Sequence, residues 1–234
     1  RAAKMHLAFE VLRGVPVKVS VTDGNGSEKN ELRKMLEADR LYVVDRGYAE
    51  YQLFQEIIDA DSSFVRRIRN DANWTAVKER PVSPEAKATG VLSDREVWLS
   101  GKKSRKALEQ TLRIVEVDTG KIDKKGNPEV LLLATNCMDL DADLVALAYR
   151  YRWSVELFFR WFKCILGCQH LLSHSENGVE IQVYVAIIAS LLVSLWTGKK
   201  PTKRTFEMLC FFFCGMADED ELIAHLNKLK DQDK

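Results

Sequence analysis

Nowhere in these 234 residues is there an apolar run long enough to cross a bilayer. The longest, VYVAIIASLLVSLW over Val183–Trp196, counts 14 residues, against about 20 for a span. It reads as a buried core helix, so no membrane partner is expected. Cysteine is scarce: Cys137, Cys164, Cys168, Cys210 and Cys214 make five. That odd number argues against a disulfide-stapled secreted domain and fits a reducing cytoplasm. Cys164, Cys168 and His170 could begin a zinc site, but no second Cys/His cluster completes it. The i, i+4 pairs Cys164/Cys168 and Cys210/Cys214 read instead as buried free thiols on helices. A lopsided charge is missing as well. Thirty-five Lys and Arg against 34 Asp and Glu leave a net +1, so affinity for a polyanion must come from local clustering. Internal repeats and low-complexity stretches are absent. The chain opens at Arg1 in mid-pattern, without methionine or secretory leader, and reads as part of a longer protein.

What is present sorts into segments. KMHLAFEVLRGVPVKVSVTDG reads as two strands joined at Arg13-Gly14, with Val17, Val19 and Val21 alternating with polar residues. Residues 28–38 read as a helix with Leu32, Met35 and Leu36 on one side. LYVVDRG has the continuous apolar texture of a central strand covered on both faces; it ends in Asp45, and Gly47 breaks it. YAEYQLFQEIIDAD gives an amphipathic helix and SFVRRIRN another strand. From 71 to 135, strand-like pieces (NWTAVKE, GVLSDREVWLS, TLRIVEVDTG, PEVLLLAT) alternate with Pro-, Gly- and Lys-rich turns. Between Arg66 and Lys125 fifteen Lys/Arg stand against nine Asp/Glu, so this β-rich stretch is locally basic. Asp141 is placed to cap one long helix running to Gly167. Further helices are expected over about 180–196, 204–214 and 220–230. The order predicts a mixed α/β core interrupted before its main helix, divided at 1–70, 71–135, 136–200 and 201–234.

That main helix carries YRYRWSVELFFRWFK over 149–163, apolar on most sides with a single acid among basic groups. At about 100° per residue, Tyr149, Arg152, Glu156 and Lys163 fall within an arc of roughly 60°. Pairing alone could explain the stripe, since Arg152–Glu156 and Glu156–Arg160 are i, i+4 pairs contributing about 0.3–0.5 kcal/mol each. The positive charge exceeds what pairing needs, however, and a carboxylate on a rigid helix suits metal ligation once a second acid arrives. Asp45 is the natural partner, because side chains closing a strand emerge where open α/β sheets carry their sites. Two acids with cations to hold phosphates is the arrangement that two-metal phosphoryl transfer requires.

The spacing Tyr149-x2-Arg152-x3-Glu156-x6-Lys163 resembles the YREK signature of bacterial insertion-sequence DDE transposases. LYVVDRGYAEY is similar to the segment in which that family carries its second catalytic aspartate. HLLSHSENGVEIQVYVAIIASLL resembles its sequence beyond the glutamate. The resemblance implies a ribonuclease H-like fold, a mixed sheet flanked by helices, with a β-rich insertion at 71–135 and C-terminal helices. It implies that Asp45 and Glu156 are catalytic and ligate two Mg²⁺ or Mn²⁺ ions, and that Tyr149, Arg152 and Lys163 contact DNA. The partners implied are double-stranded DNA, at transposon ends and target, and further copies of the chain in a synaptic homo-oligomer on the bacterial nucleoid. The family's first aspartate lies on a strand upstream of a hairpin like the one opening this chain. These residues alone are therefore expected not to cut DNA.

Other features carry milder expectations. Asp23, in the turn TDGNGSE, reads as turn chemistry rather than as a third acid. Trp74 and Trp98 could stack on an unpaired base but read more simply as core of the β-rich stretch. His170 and His174 read as loop or packing residues. Lys102, Lys103, Arg105 and Lys106 suit non-specific phosphate contact or a solvated loop. Asp218 or Asp220 should start the last helix. Two other readings stay open: a non-enzymatic DNA-binding remnant, and an unrelated α/β interaction domain whose stripe is only ion pairs.

Overall fold

The computed structural model describes residues 3–48, 50–101, 107–122, 126–165, 173, 175–199 and 201–231, without the side chains of Trp161, Lys163, Cys164, Ile165 and Phe213. The Lys102–Lys106 cluster, Cys168, His170 and His174 lie outside these residues, so the expectations attached to them do too.

Alternation builds the first unit. Strands β1 (Ala3–Glu10) and β2 (Val15–Asp23) pair antiparallel as a separate two-stranded sheet. Met5, Leu7, Phe9, Val19 and Val21 share one face and pack on helices that come later in the chain. The opposite face meets α1 (Glu28–Met35), where Lys4 pairs with Glu28 at 2.9 Å and Ser20 donates to Glu31 at 2.8 Å. Asp23 accepts from the Asn25 backbone at 2.9 Å, the turn role expected of it.

Strand β3 (Leu41–Val44), a short 3-10 turn at Arg46–Tyr48, helix α2 (Tyr51–Asp59) and strand β4 (Ser63–Ile68) follow. The four basic-segment strands are β5 (Trp74–Glu79), β6 (Val91–Leu99), β7 (Leu112–Ile122) and β8 (Pro128–Thr135). They hydrogen-bond into the same sheet as β3 and β4, in the order β3-β4-β8-β7-β6-β5. Only β3 and β4 run parallel within it. Residues of one parity (Phe64, Ile68, Ile114, Leu132, Ala134) pack with Leu53, Phe54 and Ile57 of α2. Residues of the other (Val65, Val115, Val117, Leu133) pack with Ala142, Val145 and Ala146. Period-two alternation thus gives a sheet buried on both faces. The architecture is a multi-strand mixed sheet flanked by helices, consistent with the ribonuclease H-like core.

Five details depart from expectation. Among the described residues β3 pairs with β4 alone and stands at the sheet's edge with Leu41 exposed, where a central strand was expected. A short helix α3 (Pro84–Ala88), capped by Ser83 with proline in its first turn, went unforeseen. The single helix from Asp141 to Gly167 is two, α4 (Ala142–Tyr151) and α5 (Trp153–Ile165). At the joint, Arg152 N–H bonds Tyr149 O at 3.1 Å and Val155 N–H bonds Arg152 O at 3.2 Å, i to i+3 contacts that tighten the turn. Helix α6 (Glu176–Thr197) extends well past the apolar run and is long and apolar enough to cross a membrane by length and composition. Yet one side of it packs on β1–β2 and α5, and the other faces outward, so it is a half-covered helix rather than a buried one. Finally, Cys210 of α7 (Lys203–Phe213) and Cys214, which caps its end, are exposed, not buried. Helix α8 (Glu219–Lys230) begins at Asp218, whose carboxylate completes a capping box with Glu221.

Candidate active site

Asp45 leaves the sheet directly after Val44, which sits opposite Arg66 in the parallel β3/β4 ladder. Its Oδ1 accepts the Gly47 backbone N–H at 2.7 Å, a bond that turns the carboxylate out of the strand. A Cβ on residue 47 would stand 3.0 Å from that oxygen and 3.7 Å from Glu28 Oε2, so only glycine leaves the carboxylate in place without pressing on it. Tyr48 beside it is half-buried, and burial, reinforced by the charges of Glu28 and Asp45, pushes its phenol up to about 12.

From the other side, α4, the joint and the first turn of α5 present Tyr149, Arg152 and Glu156 in turn. Arg152 Nη1 pairs with Glu156 Oε1 at 2.6 Å, and its guanidinium lies 5.7 Å from the centre of the Tyr149 ring. Burial works to lower the Arg152 pKa. The Glu156 hydrogen bond and the charges of Tyr149, Glu156 and Asp45 outweigh it, so the net direction is upward. Tyr149 is shifted upward chiefly by burial, with Arg152 and Arg67 pulling it down and the charge of Asp45 adding to the rise. Arg152 therefore feels both acids: it bonds one and is within electrostatic reach of the other.

Two residues the sequence reading passed over complete this surface. Arg66, only 4% exposed, lays its guanidinium 4.7 Å from the Phe54 ring centre, and burial lowers its pKa. Its Nη2 approaches Arg46 O at 3.5 Å, long for a hydrogen bond. Arg67 reaches Glu129 at 3.4 Å. Among the described residues, four buried side-chain polar atoms lack a partner, and three are the Nε atoms of Arg66, Arg67 and Arg152. All three guanidiniums act on Tyr149 electrostatically. Buried N–H donors left unpaired are costly. Arg67, opposite Leu133, lies on the α4 side of the sheet with Tyr149 and Arg152, whereas Arg66, opposite Ala134, lies on the α2 side against Phe54. The visible signal was FVRR itself, a pair of arginines inside an apolar strand.

Asp45, Tyr149, Arg152 and Glu156 are thus brought together, while the side chain of Lys163 lies outside the described residues. Trp74 packs half-buried against the core, as the simpler reading had it, but Trp98 is exposed. The oxygens of Asp45 and Glu156 are hard donors of the kind Mg²⁺ or Mn²⁺ takes. Among the described residues, however, no group of three His, Cys, Asp or Glu side chains is placed to hold an ion. The donor set fits in kind and falls short in number.

A family model described as a transposase DDE domain matches residues 1–192. A protein of Sinorhizobium fredii named as a transposase, y4zB, is 29% identical over 197 residues, covering 83% of this chain and 53% of its own. A protein of Geobacillus stearothermophilus named as the transposase of insertion sequence element IS5377 is 26% identical over 223 residues, covering 93% and 56%. A third, from Synechocystis and named for element IS4SA, is 22% identical over 231 residues, covering 97% and 63%. The chain therefore spans between about half and 63% of the length of these curated relatives.

Proposed function

The chain belongs to the DDE transposase family, and from that premise we propose that its site serves cleavage and strand transfer at the ends of an insertion sequence. The observation that carries this reading is the cluster of Tyr149, Arg152 and Glu156 within electrostatic reach of Asp45, with unpartnered Nε donors on Arg152 and Arg67. Arg152 offers a planar fork to a phosphate of double-stranded DNA, and Arg67 supplies positive charge beside it. Lys163, one helical stretch further on, adds a point charge to the same backbone. Asp45 and Glu156 stand as two of the carboxylates for a pair of Mg²⁺ or Mn²⁺ ions, which when bound activate the attacking hydroxyl and stabilise the leaving oxygen. Family membership sets aside the unrelated interaction domain.

The shortfall of a third acid favours a second reading of these 234 residues by themselves: they bind DNA ends without cutting them. In that reading the remaining carboxylate, and the full activity on nucleoid DNA, come from chain beyond these residues. Fluorescence anisotropy with a labelled duplex tests the phosphate contacts. Arg152→Ala should weaken binding about 10-fold or more, as losing a charge-assisted contact of about 1.5–3 kcal/mol implies. It should also flatten the slope of log affinity against log salt by about 0.9. Unchanged affinity and slope, with only a lower melting temperature, would return the stripe to simple ion pairing. The same chain should show no Mg²⁺-dependent nicking, and nicking would overturn the two-carboxylate reading.

A further inference from the structure

Cysteine is among the residues most often buried, yet the last turn of α7 shows two of them to solvent. Cys210 and Cys214 are both exposed free thiols, and the bond from Cys214 N–H to Cys210 O at 2.9 Å sets them one helical turn apart. Side chains at i and i+4 share a face, with Cβ atoms about 5–6 Å apart. Rotation about χ1 brings two sulfurs so placed to a common point without moving the backbone. A third sulfur follows. Gly215 turns the chain with a left-handed φ of 71°. Its N–H bonds Phe212 O at 3.0 Å, and Met216 N–H bonds Phe211 O at 2.8 Å, the paired closing bonds of a Schellman motif. That motif folds the residue after the glycine back toward the third and fourth residues from the helix end, here Phe211 and Cys210. Met216 is 68% exposed, so its thioether stands in solvent on the side of the two thiols instead of filling a core.

We propose that Cys210, Cys214 and Met216 form a site for one soft monovalent cation, Cu(I). Ligand type and ligand number choose the ion. Thiolate and thioether sulfur select Cu(I), whereas Mg²⁺ and Mn²⁺ take oxygen. A structural zinc site takes four protein ligands, and among the described residues no group of three His, Cys, Asp or Glu side chains is placed to hold an ion. Two thiolates and a thioether suit an ion that accepts two or three soft ligands, and they leave Zn²⁺ short. Each thiol gives up its proton as its sulfur takes the ion, and copper enters already in the +1 state, so no electron is transferred. The site has a mechanical consequence as well. Met216 opens the turn to α8, which packs through Leu226 and Leu229 on Val193 of α6. An ion joining Met216 to α7 pins that turn. The proposal draws on neither Asp45 nor DNA, so it stands apart from the phosphoryl-transfer reading.

Anaerobic competition of the 234-residue chain against the coloured Cu(I)–bicinchoninate complex tests it. The wild-type chain should take up one more Cu(I) than the Cys210→Ser, Cys214→Ser double variant, a difference that sets aside uptake by the other cysteines. Met216→Leu should keep that ion but hold it at least about 10-fold more weakly, since even a lost outer partner costs a metal site about that much. Without copper all three proteins should melt at the same temperature, because the substituted side chains are exposed. Copper should also shield Cys210 and Cys214, and not the half-buried Cys137, from alkylation by iodoacetamide, read by peptide mass spectrometry. Equal uptake by the wild-type chain and the double variant would overturn the site. Unchanged affinity in Met216→Leu would overturn the third ligand, and displacement of Cu(I) by an equal concentration of Zn²⁺ would overturn the choice of ion.

Discussion

Removing the Asp94 carboxylate should destabilise the fold more than any surface change of the same size. Arg113 and Asp94 are each 2% exposed, and the guanidinium grips the carboxylate through two bonds of 2.8 and 2.6 Å. Arg113 also donates to the carbonyls of Cys137 and Leu140, while Arg80 sits 3.6 Å from the same Asp94 oxygen and donates to Met138 O. Two arginines anchored on one acid thus hold the stretch that leads into α4, and with it the approach of Tyr149 and Arg152. Asp94→Ala leaves a buried guanidinium without its counter-charge, a loss of about 3–5 kcal/mol. For a chain of this length each kcal/mol moves the midpoint by about 2–4 °C, so thermal denaturation followed by circular dichroism should fall by roughly 6–20 °C. Asp71→Ala, which removes the exposed partner of Arg69, is the control and should change stability by no more than about 0.5 kcal/mol. Adding Arg113→Met to Asp94→Leu should recover part of the loss, since the buried Arg113 charge is then no longer stranded, although Arg80 still loses its acid. Recovery should be incomplete because the Cys137 and Leu140 carbonyls lose their donor. An Asp94→Ala midpoint indistinguishable from the Asp71→Ala control would refute the reasoning.

Gly47→Ala should leave the melting temperature nearly unchanged and, in a full-length protein active as proposed, lower Mg²⁺-dependent strand cleavage about 10-fold, because the new methyl presses on the Asp45 carboxylate. Equal cleavage rates would show that this carboxylate tolerates the shift. Phe54→Ala empties a fully buried site stacked on Phe64 at 4.8 Å and should cost about 3–5 kcal/mol in urea unfolding; a loss below 1 kcal/mol would contradict the packing. His6, buried and 2.8 Å from Thr22 Oγ1, has its pKa lowered by burial, against the pull of Glu31. The folded state therefore resists a proton that the unfolded chain accepts near about 6.5. Its contribution is intact above that pH and is lost as pH falls below it. Melting curves between pH 8 and 5 should be flatter for His6→Gln, with a residual slope from His225, which burial shifts the same way; parallel curves for the two proteins would exclude His6.

The legible parts of the fold were those whose pattern is local. Val17, Val19 and Val21 disclosed the hairpin, and the four basic-segment strands appeared where alternation and turns placed them. What escaped depends on partners far away in the chain. That β8 pairs with β4, making the basic strands one sheet with β3, is long-range register that no local pattern encodes. The break at Arg152 has neither proline nor glycine to announce it, being made by i to i+3 bonds within an otherwise helical stretch. The same limit hid Arg67, whose charge gains meaning only when α4 crosses its strand. Spacing disclosed Tyr149, Arg152 and Glu156 as neighbours, and the texture of LYVVDRG placed Asp45 just beyond a strand.

The two edges of the six-stranded sheet are finished differently. β5 ends the sheet with an irregular register between Ala76 and Lys78 and a row of exposed residues that includes a lysine, the features by which a sheet discourages further pairing. β3 has no such protection. Leu-Tyr-Val-Val is uncharged, free of proline and regular in register, and it pairs on one side only. Among the described residues its far side is open to one more strand, and Leu41→Lys should raise the solubility limit of these residues taken alone by discouraging pairing there.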